Sequence, residues 1–477
     1  MPVASRYRPA PVVIALGPEH FDAVMPARFP LHRLRHRDQR WAARAGLDTL
    51  DADEWERHFA AFVPLPENLP TPLALRYHGH QFRVYNPDLG DGRGFLFAQV
   101  HDAADDRLLD LATKGSGQTP WSREGDGRLT LKGGVREVLA TAMLEALGVY
   151  TSKSLSLFET GEMLFRGDEP SPTHSSVLVR LGHSHVRFGS FQRHAFLGER
   201  AALARLLDYA IEHYAPGLAG RAADDTPAAF LAEVVRRSAR LCAGWMMAGF
   251  VHGVLNTDNM NVTGESFDYG PYRFLRTYDP EFTAAYFDHH GLYAFGRQPA
   301  SVEWNLEQLA KALAVLAPRP GLAAALERFA REYESALVEK FLVRLGVGSR
   351  GADDDAELGT AVFRFLAESR VGYEQFFFDW YGGAASATRA LAGPAAERYR
   401  GPNFDALRRR LDAYAPLDPA RLDAAYYRRP RPCTLLIDEI ETLWDAIAAR
   451  DDWSLFTRKL AEIDGMRTAL GLDPAGP

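Results

Sequence analysis

The hydrophobic period changes once along this chain. From about residue 76 to 190, short strand-like segments such as FLFAQV and RLLDLATK alternate with Gly-rich turns around one amphipathic helix near 134–147. From about 195 onward a helical period takes over, in ERAALARLLDYAIEHY, AAFLAEVVRRSARLCAGWMMAGFV, WNLEQLAKALAVLA and LAAALERFAREYESALVEKFLVRLG. Alternation buries one face of a sheet, whereas the longer period buries one stripe of a helix, so the two halves call for different layers. At 477 residues the chain also exceeds the usual size of a single core. The expected fold class is α+β with two lobes. A mixed α/β N-terminal lobe would span 1–190 and a mainly helical C-terminal lobe 191–477, divided near 188–200 after VRFGSFQRHAF.

Residues 1–75, with PLPENLPTPLAL, show no clear single element and are expected to wrap a core formed later. LAGRAADDTP reads as an exposed loop between helices, and the chain ends in the turn-rich LGLDPAGP. The hydrophobic fraction of 47% and charged fraction of 25% are those of an ordinary globular protein. A net charge of −7 argues against a general nucleic-acid surface and leaves room for a local basic cleft. The two cysteines, Cys242 and Cys433, are too few for a disulfide framework or a cysteine-rich zinc site. The N-terminus lacks a basic segment followed by an apolar core, and no run is long enough to span a bilayer, so a cytoplasmic protein without a membrane partner is expected.

The helix that ends in GWMMAGFV delivers a polar loop, HGVLNTDNMNVTGESFDYGP. Asn256, Asp258, Asn259, Asn261 and Asp268 crowd oxygen ligands into this short span, a pattern that suits a hard cation such as magnesium shared with phosphates. Asn and Asp also form turns by bonding their own backbone, which accounts for the same residues without chemistry.

Upstream, Gly90, Gly92 and Gly94 in LGDGRGFLFAQ could let the backbone approach a phosphate, with Arg93 adding charge; a Gly-rich hairpin turn is the structural alternative. In RLLDLATK, Leu109, Leu111 and Thr113 share one face, which puts Lys114 on the other. In the following helix Glu137 projects away from the main apolar stripe beside Ala140, Thr141 and Leu144, not a typical solvated face. A strand lysine paired with a helix glutamate is how kinase-like folds fix a lysine on phosphates, whereas two solvated surface charges would be unrelated. SREGDGRLTLKGG contributes Arg123, Asp126, Gly127, Arg128 and Lys132, and VRLGHSHVRFGSF contributes Arg180 and Arg187. Converging cations would suit a polyphosphate. The histidine pairs His78/His80, His183/His185 and His289/His290 read as hydrogen-bonding loop residues before they read as metal ligands, and FFFDWYGG reads as packing.

Taken together, YHGHQF, YNPDLGDGRG, TKGSGQTPWSREGDGR, GGVREVLATAML, HVRFGSF, GFVHGVLNTDNMNVTGESFDYGP, YDPEF and AFGRQP followed by WNLEQLA resemble the selenoprotein O family of protein adenylyltransferases, over roughly residues 75–315. The resemblance implies a protein-kinase-like bilobal fold in which ATP lies reversed, so that AMP moves to a protein hydroxyl. It implies that Gly90, Gly92, Arg93, Lys114, Asp126, Gly127, Arg180 and Arg187 contact nucleotide and that Glu137 holds Lys114. Asp258 would accept the proton of a Ser, Thr or Tyr hydroxyl on a protein substrate. Asn259 and Asp268 would hold magnesium, with manganese as the alternative.

Two departures accompany the resemblance. Many members carry a cysteine or selenocysteine close to the C-terminus, whereas this chain has no cysteine beyond Cys433, so a redox switch of that kind is not expected here. The family's Gly-Gly-His-Gln reads His78-Gly79-His80-Gln81. The competing functions are a kinase that transfers the terminal phosphate and an inactive nucleotide-binding scaffold. Asp258 is followed at once by Asn259 and the His-Arg-Asp signature is missing, which weighs against the kinase.

Overall fold

The computed structural model describes residues 6–472 apart from 168, 223 and 224. Its first part holds ten strands among those residues: β1 (Phe21–Ala23), β2 (Arg33–Arg37), β3 (Leu73–Leu75), β4 (Gly79–Gln81), β5 (Val84–Asn86), β6 (Leu96–His101), β7 (Leu108–Lys114), β8 (Leu129–Thr130), β9 (Lys153–Leu164) and β10 (Thr173–Gly182). Eight of them make one sheet in the order β1-β3-β6-β7-β10-β9-β2, with β8 also on β10, while β4 and β5 form a separate hairpin. Every pairing in that sheet is antiparallel. The rest is mainly helical, with one small ribbon of β11 (Phe250–Val251) and β12 (Arg273–Phe274). The protein is therefore α+β, an N-terminal antiparallel sheet followed by a helical region.

The sheet is buried on both faces, and alternation along β7 shows how. Leu109 and Leu111 pack with Trp55, Phe59 and Phe97 on one side. Leu108 and Ala112 join the other cluster, beneath the helix Leu131–Ala146. Lys114 is thereby carried to the same side as that helix. The helix begins three residues earlier than its apolar stripe indicates, because the Thr130 side chain accepts from the Gly133 N–H at 3.1 Å and caps it there. Its far side is covered by the helix Ser454–Leu470, whose Ile463 and Met466 belong to the same core as Val138 and Met143. A segment from the chain's end thus braces the helix that carries Glu137.

Residues 6–75 do wrap the core, but they also supply β1, β2 and β3 and the helices Gln39–Arg44 and Ala52–Phe59. β1 and β2 escape a periodicity reading because they are short edge strands with charged faces; RLRHR buries no residue fully. Phe250 does not end the long helix. That helix runs Thr226–Met247, and Phe250 opens β11. The segment read as one helical run at 322–346 is two helices, Arg319–Leu326 and Phe329–Leu345. FFFDWYGG is packing: Phe376, Phe377 and Trp380 are buried in the second helical core. Of LAGRAADDTP, residues 223 and 224 lie outside the described residues, as do 473–477 of the terminal turn-rich segment. Among the described residues, no helix is long and apolar enough to cross a membrane.

Trp55 anchors the outer layer to the sheet. It is fully buried, donates from Nε1 to Ser156 Oγ at 3.0 Å and lies under the Arg37 guanidinium at 3.9 Å. Trp55→Ala should lower unfolding free energy by about 3–5 kcal/mol in a denaturant titration, and Trp55→Phe by clearly less, because the latter keeps most of the volume.

Candidate active site

A cleft of about 770 Å³ lies where the open end of the sheet meets the helical region. Gly90, Gly92, Arg93, Lys114, Asp126, Gly127, Arg180, Arg187, Asp258, Asn259 and Asp268 all line it. The anion at its centre is Asp268, a residue with φ of +65° in the loop between β11 and β12. Lys114 Nζ lies 2.9 Å from Asp268 Oδ1, and Arg180 Nη1 donates to the same oxygen at 2.8 Å. Arg187 Nη1 donates to Oδ2 at 3.2 Å and to the backbone carbonyl of Asp258 at 2.8 Å. Burial alone would push the Asp268 carboxyl up, but Lys114, Arg180 and Arg187 together hold it well below the usual carboxylate range.

Each cation is positioned by a different part of the chain. Lys114 ends β7, and its Nζ also pairs with Glu137 Oε1 on the helix above. The strand-to-helix pairing is thus present, and both partners are buried. Arg180 stands on β10 opposite Ala112 of β7. Arg187 precedes the helix Phe188–Phe196, with its guanidinium 4.5 Å from the Tyr77 ring and 4.8 Å from that of Phe267. Such stacking leaves its planar fork free for acids on either side. Its Nη2 reaches Asp91 Oδ1 at 3.3 Å. Asp91 was not singled out in the sequence, although it lies inside the Gly-rich stretch; as a lone carboxylate among glycines it carries no local signal.

Asp258 is buried beside this cluster. Burial pushes its carboxyl up to about 6, against the opposing pull of Arg187. Its Oδ1 is buried without a hydrogen-bond partner, and the residue lines the cleft. The amide nitrogen of Asn259 is committed to the Val254 carbonyl at 2.9 Å, so its oxygen is the atom left for a cation. The polar residues of this loop therefore divide. Asn256 accepts from the Phe82 N–H at 3.1 Å and the Tyr293 hydroxyl at 2.8 Å; Asn261 accepts from Thr263 N–H and hydroxyl at 3.1 and 3.0 Å. These two fasten the loop, while Asp258, Asn259 and Asp268 face the cleft.

The glycine segments line the cleft through close packing. A Cβ at Gly90 would lie 2.3 Å from the Trp121 ring, and Gly127, at φ +67°, would meet the Gly117 backbone at 2.2 Å. Trp121 itself donates to Asp22 Oδ2 at 2.9 Å. The basic cluster converges only in part. Arg93, Arg123 and Arg128 line the cleft, joined by Arg166, which the sequence did not single out. Lys132 instead pairs with Glu441 at 2.6 Å. Both oxygens of Asp126 receive Arg166, at 2.8 and 3.0 Å, and Arg128 pairs with Glu162 at 2.7 Å.

Two of the three histidine pairs, His78/His80 and His183/His185, are held by hydrogen bonds. His78 Nδ1 meets Tyr85 Oη, His80 Nδ1 meets Gln192 Nε2 and His183 Nδ1 meets Tyr150 Oη, each at 2.8 Å, and the backbone N–H of His185 donates to Asp110 at 2.9 Å. Among the described residues, no three His, Cys, Asp or Glu side chains are grouped as a metal site.

Comparison with known proteins extends well beyond these motifs. The profile of the family described as protein adenylyltransferase SelO matches residues 4–464. A protein nucleotidyltransferase YdiU from Gloeobacter violaceus is 46% identical over 457 residues, covering 94% of this chain and 92% of its own. The same-named proteins of Synechocystis sp. and Trichormus variabilis are 45% and 43% identical, each over 94% of this chain and 95% and 93% of their own lengths. The likeness therefore continues past residue 315, where the motifs thin out. This chain belongs to the SelO family of protein adenylyltransferases.

Proposed function

We propose that this enzyme transfers AMP from ATP to a Ser, Thr or Tyr hydroxyl of a protein substrate and releases pyrophosphate, with Asp258 as the general base. The observation that carries the reading is the pairing of an unpartnered, buried Asp258 oxygen with three cations gathered on Asp268 in one cleft. Family membership supplies the adenylyl chemistry, and with it ATP as substrate and a protein as acceptor. A kinase-like pair of lobes, 1–190 and 191–477, and a cytoplasmic setting belong to the same reading. The sheet ending at Gly182 and the helices that follow support the division.

In this reading Lys114, Arg180 and Arg187 turn from Asp268 toward the phosphates, while Glu137 keeps Lys114 in place. Gly90, Gly92, Arg93, Asp126 and Gly127 form the wall on which the nucleotide rests. The acceptor oxygen attacks the α-phosphorus, its proton passes to Asp258, and the bond to the β-phosphate breaks with its electron pair leaving on pyrophosphate. A carboxyl pushed up to about 6 suits that task, since it is mainly ionised at neutral pH yet basic enough to take a proton. Gathered in the cleft before the nucleotide arrives, these cations would then stabilise the charge that develops on the phosphates and leaving group.

The donor set fits a magnesium or manganese ion. Asp268 and the Asn259 oxygen are hard ligands on one cleft wall, and the cations now neutralising Asp268 have a triphosphate to move to. Such an ion would supply further positive charge to the phosphates. Few protein ligands and several substrate oxygens are the usual arrangement for magnesium.

With ATP labelled at the α or the γ phosphorus, only the α label should become protein-bound; transfer of γ label alone would refute AMP transfer. Asp258→Ala should lower kcat by about 10²–10⁴-fold, with ATP still bound in a calorimetric titration. Chelating divalent cations should abolish transfer, and added magnesium or manganese should restore it; activity that persists in chelator would remove the metal from the scheme.

A further inference from the structure

Beside the cleft, the fold leaves large apolar side chains in solvent. Tyr286 is 76% exposed and Phe287 41%. Their rings lie 5.1 Å apart, and Phe287 packs edge-on against Phe82 at 5.9 Å. Phe82 sits at the tip of the β4–β5 hairpin, next to Val84, which is 70% exposed. Contiguous apolar patches in water mark contact sites for proteins, membranes or ligands, or aggregation-prone surfaces.

This platform is built directly onto the loop that carries Asp258. The His80 N–H donates to the Thr257 hydroxyl at 2.7 Å, and the Phe82 N–H to Asn256 Oδ1 at 3.1 Å. Between them, Gln81 lines the cleft, and the Cβ position of Gly79 is 3.1 Å from Asp258 Oδ1. On the other side, Ala284 and Ala285, immediately before Tyr286, lie 3.1 and 3.6 Å from the Cβ position of Gly253. Tyr293 ties this second segment to Asn256, and its ring lies tilted 5.0 Å from that of Phe82. Hairpin and segment therefore flank the same catalytic loop, and the half-buried Phe82 ring meets the exposed rings of Phe287 and Tyr286 at its edge.

We propose that Tyr286, Phe287 and Phe82 form the acceptor-side docking surface, which takes a large apolar side chain of the protein substrate next to the hydroxyl that is modified. The inference rests on the proposed role of Asp258. A protein chain must reach that carboxylate for the family's reaction to occur, and Asp258 is only 8% exposed, so a protruding segment has to enter the cleft. The residues flanking an inserted hydroxyl then fall on the rim, where the aromatic platform lies. Of the charged groups on these two segments, Arg297 pairs with Glu281 at 2.9 Å and Arg83 lies over the Trp304 ring. Burial of an apolar side chain is the interaction this surface offers. A second copy of the chain docked on the same rings would close the route that the acceptor needs.

The probe is a degenerate peptide library with a central Ser, Thr or Tyr, incubated with α-labelled ATP and the full-length enzyme. Labelled peptides should be enriched in Phe, Leu, Ile or Met beside the acceptor. In the Tyr286→Ser/Phe287→Ser double variant that preference should flatten, and KM for an apolar-flanked peptide should rise about tenfold, equivalent to about 1.4 kcal/mol. KM for ATP should stay unchanged, and Phe287→Leu, which restores an apolar side chain and reports on folding, should keep the preference. Labelled peptides without apolar enrichment, or an unchanged peptide KM in the double variant, would overturn the docking surface while leaving AMP transfer standing. A dimer that dissociates only in the double variant would assign the rings to a second copy and overturn it as well. A wild-type enzyme that labels no acceptor would overturn the proposed function first, and this inference with it.

Discussion

The Asp268 carboxylate is the point on which the site depends. Three buried or nearly buried cations, Lys114, Arg180 and Arg187, converge on it from a strand end, a neighbouring strand and a helix start. Charges removed from water must be paired, and breaking such a cluster by deleting one partner leaves uncompensated charge in a low-dielectric region. The sheet and the polar loop are therefore held together by the same interaction that stores positive charge. In the proposed reaction a triphosphate entering the cleft would take over the role of Asp268, so that one arrangement would serve both as a structural fastening and as a phosphate receptor.

Around that centre the chain uses its polar residues economically. Within one loop, Asn256 and Asn261 satisfy backbone and hydroxyl donors, and this fixes where Asp258, Asn259 and Asp268 can point. Two of the loop's asparagines serve as fasteners, and the other three polar residues line the cleft. A similar division runs through the glycines. Gly90 is required by Trp121, whose ring occupies the space of a side chain, and the same close packing leaves backbone on the cleft wall.

The brace on the Glu137 helix comes from the opposite end of the chain. Helix Ser454–Leu470 shares a core with Leu131–Ala146, so the glutamate that pairs with Lys114 is set by packing from both sides, sheet below and terminal helix above. Both the apolar stripe of the helix and the side bearing Ala140, Thr141 and Leu144 are buried.

What the sequence by itself determined was everything that follows from local period and from a specific motif block. Alternation in RLLDLATK put Lys114 opposite Leu109 and Leu111, and the wheel of the next helix put Glu137 off its main stripe. The ordered blocks around His252–Pro271 pointed to the family that the full-length comparisons identify. Short charged edge strands such as β2 were illegible, because their pairing depends on a neighbour, β9, far along the chain. Only the tertiary structure decided which loop residues face the cleft, that Arg180 and Arg187 meet Asp268 while Lys132 turns to Glu441, and that Tyr286 and Phe287 stand beside Asp258's loop. A loop has no period to fix the direction of its side chains, and contacts between distant segments exist only once the chain has packed.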